Sequence, residues 1–542
     1  MIFLNLTFYR SISIENGANV LSKLREKRIE IIATILVLFI AIYLRWFIID
    51  REGYWLDEVM QIRSSLHNNI RDVWKNVPKT KPPLSYFELF ALTKISISEK
   101  VLRFPSFLAS VFALVISMKI SYIVYNKCKY SYVLTGLYIA LSPLDIQLSR
   151  EVLPYAQSNL FIVIFCFSVI VWIMQKDFLL LIISFLSASI SLWFAYQSLS
   201  VLLSFITLFV VCALLYFAQT RIKSIQIINH KLSQNIKSSF YYIPLIFLSI
   251  ISTFPLYRNI HANFSNRPAW GAPPFSPQIL KYFFQMLSAG YDGSKPNYIF
   301  ILFGLAGALS LFINLKREQI RLQYIIIATW LILGLSWIYI FAGIQNHWIA
   351  SRYLIYFIPP FAILVSGGFR AIINLFSSRQ NKLLCFFVIL SFMLFGIMPT
   401  YKDSLSSRPN FRGLAKNLSN VSKEGDLVLF HHSYEEYCYS FYQQNIFKGA
   451  PKSTYFQKST PNDLNPNLID LLKGAKRVWI PERVYEAYRI APEVKMFFID
   501  KMNTNQNNED IKYRLESKER ILNTLYSNSS NNVNCNGWGR LE

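Results

Sequence analysis

The chain has 542 residues, 53% hydrophobic and 16% aromatic, and only 16% are charged, against about 25% in an ordinary soluble domain. Lys and Arg outnumber Asp and Glu 55 to 31, for a formal net charge of +24. The basic residues fall mostly in short loops between apolar runs and not on a basic, aromatic-studded face, which excludes a nucleic-acid binder and points to a polytopic membrane protein.

Runs of roughly 18 or more apolar residues, each long enough to cross about 30 Å of hydrocarbon as a helix, recur up to about residue 400 and then stop. Met1 to Asn19 lacks the apolar core and small-residue exit of a cleavable signal. Lys23, Arg25, Lys27 and Arg28 precede the first run, 29–49, so the first helix is expected to run outward from the cytoplasm. Residues 50–100 then form an external loop, in which Tyr86 to Ile97 is too short to span and reads as a helix at the membrane surface. Further spans are expected at 102–125, 131–148, 154–174, 178–195, 199–217, 239–257, 297–314, 323–343, 351–374 and 383–400, about eleven in all, with a very short turn near Tyr196-Gln197. Basic loops at Lys127 and Lys129, Lys176, Arg221 to Lys237, Lys316 to Arg321, and Arg379 with Lys382 alternate with loops poorer in Lys and Arg. That alternation gives an inside–outside order with the C-terminus outside.

Residues 1–400 therefore read as a transmembrane domain that includes the external loop 50–100, and 401–542 as a small extracytoplasmic α/β domain. In the latter, strand-like Asp426 to Phe430 and Arg477 to Ile480 alternate with helical stretches around 411–418, 434–444 and 483–490, before an Asn/Ser-rich end at 527–536. The six cysteines have no metal-ligand spacing. Cys438 and Cys535 share the tail, and a disulfide between them stays open.

The predicted outer face collects Asp57-Glu58, Lys79 and Lys81 before Pro82-Pro83, Asp145, Arg150-Glu151, Tyr155, His347 and Arg352. Taken singly, each has a bland reading as a solvated loop residue or an arginine reaching toward headgroups. Taken together, acids and arginines at one membrane depth suit a substrate with both a phosphate and a hydroxyl. Arginine binds phosphate through charge-assisted bonds, and a carboxylate can accept the proton of an attacking hydroxyl.

Five stretches in series resemble the GT-C superfamily of polyprenyl-phosphate-sugar-dependent glycosyltransferases. The nearer likeness is to the protein O-mannosyltransferase group (glycosyltransferase family 39) and to the aminoarabinose transferases of lipid A. They are Tyr54–Glu58, Lys81–Tyr86, Leu102–Ser106, the segment Leu141 to Ala156 with Ser149-Arg150-Glu151 and Tyr155, and Ser351–Leu354 followed by Pro359-Pro360. The resemblance implies an α-helical polytopic GT-C fold and an inverting transfer of a sugar from a polyprenyl phosphate to an acceptor hydroxyl on a protein, lipid or glycan. It implies Asp57 as catalytic base, Glu58 as its neighbour and contributor, Glu151 near donor or acceptor, and Arg352 near the lipid phosphate. Lys81, Arg150, Tyr155 and His347 complete the substrate-binding candidates. No cofactor is certain. Some such enzymes hold a divalent cation at the first-loop acids and others do not, and the sequence leaves that open.

Two departures stand out. Arg150 takes the place of a Gln, with Leu153-Pro154 where Ala-Arg is usual, and Trp193 to Gln197 lacks the family's His. A transporter or flippase of lipid-linked sugar is the alternative, disfavoured by the scarcity of charge within the spans. A non-catalytic membrane scaffold is another. The Asn-, Ile- and Lys-rich composition suits a bacterial cytoplasmic (inner) membrane, with the site facing outward.

Overall fold

A computed structural model describes residues 17–78, 81–126, 128–221, 242–252, 277–288, 297–313, 318–345, 350–378, 380–382, 384–389, 391, 393, 410–457, 475, 477–481 and 496–500. Residues 1–16, the basic cluster 222–237, His347, the expected helix 483–490, the Asn/Ser-rich end and Cys535 lie outside the described residues.

Most of the expected span 383–400 also lies outside the described residues, and the apolar runs that fall among them form a helical bundle. Its first helices are α1 (Gly17–Trp46), α2 (Leu56–Ser65), α3 (Ile70–Asn76), α4 (Leu84–Thr93) and α5 (Glu99–Val124). Then come α6 (Lys129–Leu141), α7 (Pro143–Leu148), α8 (Tyr155–Gln175), α9 (Phe178–Phe194) and α10 (Leu199–Arg221). They are followed by α11 (Tyr242–Ile251), α12 (Pro277–Ser288), α13 (Tyr298–Ile313), α14 (Glu318–Gln345) and α15 (Ile358–Ile373). Among the described residues, five apolar stretches of 19 to 26 residues are long enough to cross a bilayer. The ten residues of α4 are too few to cross, in keeping with a surface helix. A single 3₁₀ turn, Tyr196–Ser198, joins α9 to α10, the short connection the sequence required. Ile31, Ile32, Ile35, Leu36 and Phe39 on α1 are exposed and suit lipid, whereas Val37 and Ala41 are buried in the bundle.

The expected span 131–148 is corrected. The helix stops at Leu141 after 13 residues and restarts as the six-residue α7. Pro143 is the cause: it has no N–H to continue α6 but is well placed in the first turn of a new helix. The carbonyls left at the break are taken up by Arg45 of α1, which donates to Ile139 O at 3.0 Å and Ala140 O at 3.0 Å. The same fully buried guanidinium pairs with Asp145 at 2.6 Å and bonds Ser110 at 2.8 Å. Charge within the spans is thus scarce but structural.

Small residues let α13 and α15 pack backbone against backbone. A Cβ built on Gly307 would run into Leu364 O, and one on Gly368 into Phe303 O. Gly307→Ala or Gly368→Ala is expected to lower stability by about 1 to 3 kcal/mol through overpacking. A thermal melt of each variant in lipid nanodiscs checks this, and unchanged melts would refute the contact.

The C-terminal unit comprises α16 (Phe411–Val421), β1 (Asp426–His432), α17 (Ser433–Asn445), β2 (Lys452–Gln457), β3 (Arg477–Pro481) and β4 (Met496–Asp500). Asn410 caps α16, its side-chain oxygen accepting the Gly413 N–H at 2.8 Å. The sheet order is β2-β1-β3-β4, with β1 parallel to both neighbours and β4 antiparallel. Phe411, Leu414, Leu418, Val428, Phe430, Tyr439 and Trp479 form a core continuous with Tyr54, Val59 and Ile62 around α2 and with Leu102 and Val152. The small domain therefore sits on the end of the bundle that carries α2. Cys438 lies in this core as a free thiol, pushed up by burial.

Candidate functional site

The acidic pair at the head of α2 divides its labour. Successive residues on a helix point about 100° apart, so Asp57 and Glu58 cannot share an environment. Glu58 turns inward and is fully buried. Its Oε1 accepts Arg103 Nε at 2.9 Å and the Val152 N–H at 2.8 Å; its Oε2 accepts Arg103 Nη2 at 2.8 Å and the Trp55 N–H at 3.2 Å. Arg103, also buried, donates on to Ile49 O at 2.7 Å, Glu52 O at 2.9 Å and Gly53 O at 3.1 Å. One ion pair thus ties the first loop, α5 and the loop after α7 to the start of α2. Bonds to the carboxylate from a helix-start N–H also suit the positive end of α2.

Asp57 turns outward and is 34% exposed at its side chain. Its Oδ2 accepts Arg352 Nη1 at 2.5 Å across 295 residues of chain. Arg352 belongs to a 3₁₀ turn, Ser351–Phe357, that leads into α15, whose opening carries Pro359-Pro360. Prolines tolerate a helix start and not its interior, which fixes where the helix begins and where Arg352 projects. Its guanidinium lies 6.0 Å from the ring centroid of Trp55, 5.8 Å from Tyr155 and 6.0 Å from Tyr353. Arg352 Nε is buried with no hydrogen-bond partner among the described residues. Tyr86, buried on α4, has its phenol pushed up by burial, with the Asp57 carboxylate adding to the effect. The arrangement is a half-open carboxylate–guanidinium pair walled by aromatic rings. It can accept a proton at one atom and hold an anion at another.

The other expected site residues are distributed around it. Tyr155 is brought to Arg352, as above. Lys81 is exposed in the turn before α4, its backbone N–H bonded to Pro78 O. Arg150 and Glu151 are buried and bend back along α7, Arg150 Nε to Ile146 O at 3.3 Å and Glu151 Oε1 from Gln147 at 3.1 Å. A divalent cation at Asp57-Glu58 does not fit this arrangement, because both Glu58 oxygens are occupied by N–H donors and Asp57 offers its second oxygen alone. Among the described residues no three His, Cys, Asp or Glu side chains group as metal ligands.

Sequence reasoning missed the partners that hold the site in place. Arg103 stands within the Leu102–Ser106 motif without an assigned role, and Arg45 within an apolar run; a lone arginine in such a run is the usable signal. It also missed how the C-terminal domain grips α2. Tyr442 OH donates to Glu99 Oε1 at 2.9 Å and accepts the Tyr54 N–H. Arg412 pairs with Glu99 at 3.3 Å and donates to Asp50 O at 2.6 Å. At the far end of α2, Arg63 lies 4.1 Å over the Tyr437 ring and bonds Ser440 at 2.8 Å.

Glu88 on α4 is a second titratable group near this end. Burial pushes its carboxyl up to about 7, partly offset by the Gln157 amide, which donates to it at 3.1 Å. The native protein binds this proton more tightly than the unfolded chain, whose glutamates titrate near 4.5. Stability is therefore expected to fall as pH rises from about 4.5 to about 7, and Glu88→Gln should flatten that part of the curve. Melting temperatures against pH for both proteins test it; parallel curves would refute it.

Taken together, the broken α6–α7, the surface helices after α1, the short 3₁₀ entry to α15 and the small α/β cap define a polytopic helical membrane fold. A solved structure with a similar fold is ArnT from Cupriavidus metallidurans in the apo state. It has a TM-score of 0.50 and 11% identity, with 83% of this chain and 93% of that chain covered. ArnT from the same organism bound to undecaprenyl phosphate aligns with a TM-score of 0.46 and 10% identity over 84% of this chain and 96% of that one. No protein-family model and no curated protein sequence matches the chain.

Proposed function

We propose that the protein is a glycosyltransferase that moves a sugar from a polyprenyl-phosphate donor onto an acceptor hydroxyl with inversion at the anomeric carbon. The observation that carries this reading is the Asp57–Arg352 pair, 2.5 Å apart and walled by Trp55, Tyr155 and Tyr353. In a single displacement, Asp57 takes the hydroxyl proton as the acceptor oxygen bonds to the anomeric carbon. The bond from that carbon to the phosphate oxygen breaks, and its electron pair leaves with the lipid phosphate. A phosphate is already a good leaving group, so a fixed cation suffices where charge develops. Arg352 is that cation, and Lys81, exposed at the head of the helix that bears Tyr86, is the second one available. The aromatic walls offer faces on which a sugar can stack, while Glu58, Arg150 and Glu151 hold the surrounding loops. His347 remains a substrate-binding candidate from the sequence alone.

The ArnT likeness supports this reading through its fold. The site and the C-terminal domain share one end of the bundle; the basic-loop pattern supports an outward-facing site, and the Asn-, Ile- and Lys-rich composition supports a bacterial cytoplasmic membrane. Purified protein supplied with a panel of radiolabelled polyprenyl-phosphate sugars and candidate hydroxyl acceptors tests the activity. Failure to bind any such lipid would undo it. Cysteine labelling at Ser64 and Ser378 tests the orientation: the two should react from opposite sides, and same-side labelling would overturn it.

A further inference from the structure

The carboxylate assigned to the proton and the guanidinium assigned to the phosphate are bonded to each other. Arg352 Nη1 meets Asp57 Oδ2 at 2.5 Å, with the side chains 26% and 34% exposed. An arginine held this way cannot give the same edge to a phosphate, and the Asp57 oxygen that it holds is not open to a hydroxyl proton. The neighbouring Glu58–Arg103 pair is different in kind, at 0% and 2% exposure with every Glu58 oxygen occupied.

We infer that Asp57 occupies the phosphate seat of Arg352 in the resting protein, and that the donor phosphate displaces it, so that donor binding itself releases the base. The inference rests on the transfer reading above and specifies how its site is regulated. Three features support exchange over a permanent bond. The pair is open enough for a ligand to reach. The walls beside Arg352 are aromatic rings, and a phosphate that grips the Nη1–Nη2 end of the guanidinium at two points, a geometry arginine favours, takes the donor that Asp57 now holds. Finally, the displaced Asp57 stays near the N-terminal end of α2, where backbone N–H groups favour a negative charge. The Glu58 anchor holds the helix still, so the change requires rotation of side chains alone.

The consequence is an order of events. With the seat filled by Asp57, an acceptor arriving first finds only the second Asp57 oxygen open. With the donor in place, Asp57 is released beside it. After transfer the lipid phosphate is left on Arg352, and the return of Asp57 competes it off.

The test is a binding measurement on the full chain in nanodiscs, with farnesyl phosphate as probe and farnesol as the uncharged control. Asp57→Asn keeps the size of the side chain and removes the competing charge. It is expected to tighten farnesyl phosphate by about twofold to fivefold, the worth of a part-exposed ion pair, and to leave farnesol unchanged. Asp57→Ala, measured in parallel, should tighten it as well, which guards against a misfolded Asn variant. Equal or weaker binding of farnesyl phosphate in both variants would overturn the exchange and leave the transfer reading standing. A wild-type protein that binds farnesyl phosphate no better than farnesol would overturn both.

Discussion

Asp57→Asn is expected to lower sugar transfer by about two to four orders of magnitude, the usual worth of a positioned general base, while the protein folds and still binds the lipid phosphate. The asparagine is nearly the same shape and stands at a part-exposed position, so no buried partner is orphaned. What is lost is the ability to take a proton from the acceptor hydroxyl. Transfer is measured with the best donor from the radiolabelled panel, beside a thermal melt of the same preparation. A variant that transfers as well as wild type would remove Asp57 from the chemistry.

The sequence made the bundle legible because lipid imposes a simple rule: each crossing needs a long apolar run. It misread 131–148 because hydropathy averages across Ser142-Pro143, where backbone sterics and not polarity end the helix. In the tail, β1 and β3 stood out as short apolar runs, while β2 reads Lys452-Ser-Thr-Tyr-Phe-Gln457 and β4 lies past the chain's last strong pattern. Asp57 and Arg352 were each visible, and the ordered motifs gave reason to group them. Their direct bond spans 295 residues and follows from tertiary packing alone. The grip of Tyr442 on Glu99 and Tyr54 was illegible for the same reason, because a tyrosine in an amphipathic soluble helix carries no mark of the membrane loop it will meet. The adjacent acids looked alike on paper, and one step of helical rotation separates them.

That separation makes the second large effect. Glu58→Gln leaves the Arg103 guanidinium buried against an uncharged amide, and breaking one side of a buried pair costs about 3 to 5 kcal/mol. The expected result is a clearly lower melting temperature, with the loss spread over everything Arg103 gathers: the carbonyls of Ile49, Glu52 and Gly53, and through Glu58 the Val152 N–H. Arg103→Met alone should be comparably damaging, since it strands a carboxylate. The double variant should recover part of the loss, because two charges removed together leave neither one uncompensated. Transfer will fall in the single variants too, so stability is the deciding measurement. If Glu58→Gln abolished transfer while melting like wild type, Glu58 would be acting on substrate. If it melts early and the double variant melts later than either single one, Glu58 is the anchor that lets Asp57 alone face the substrate.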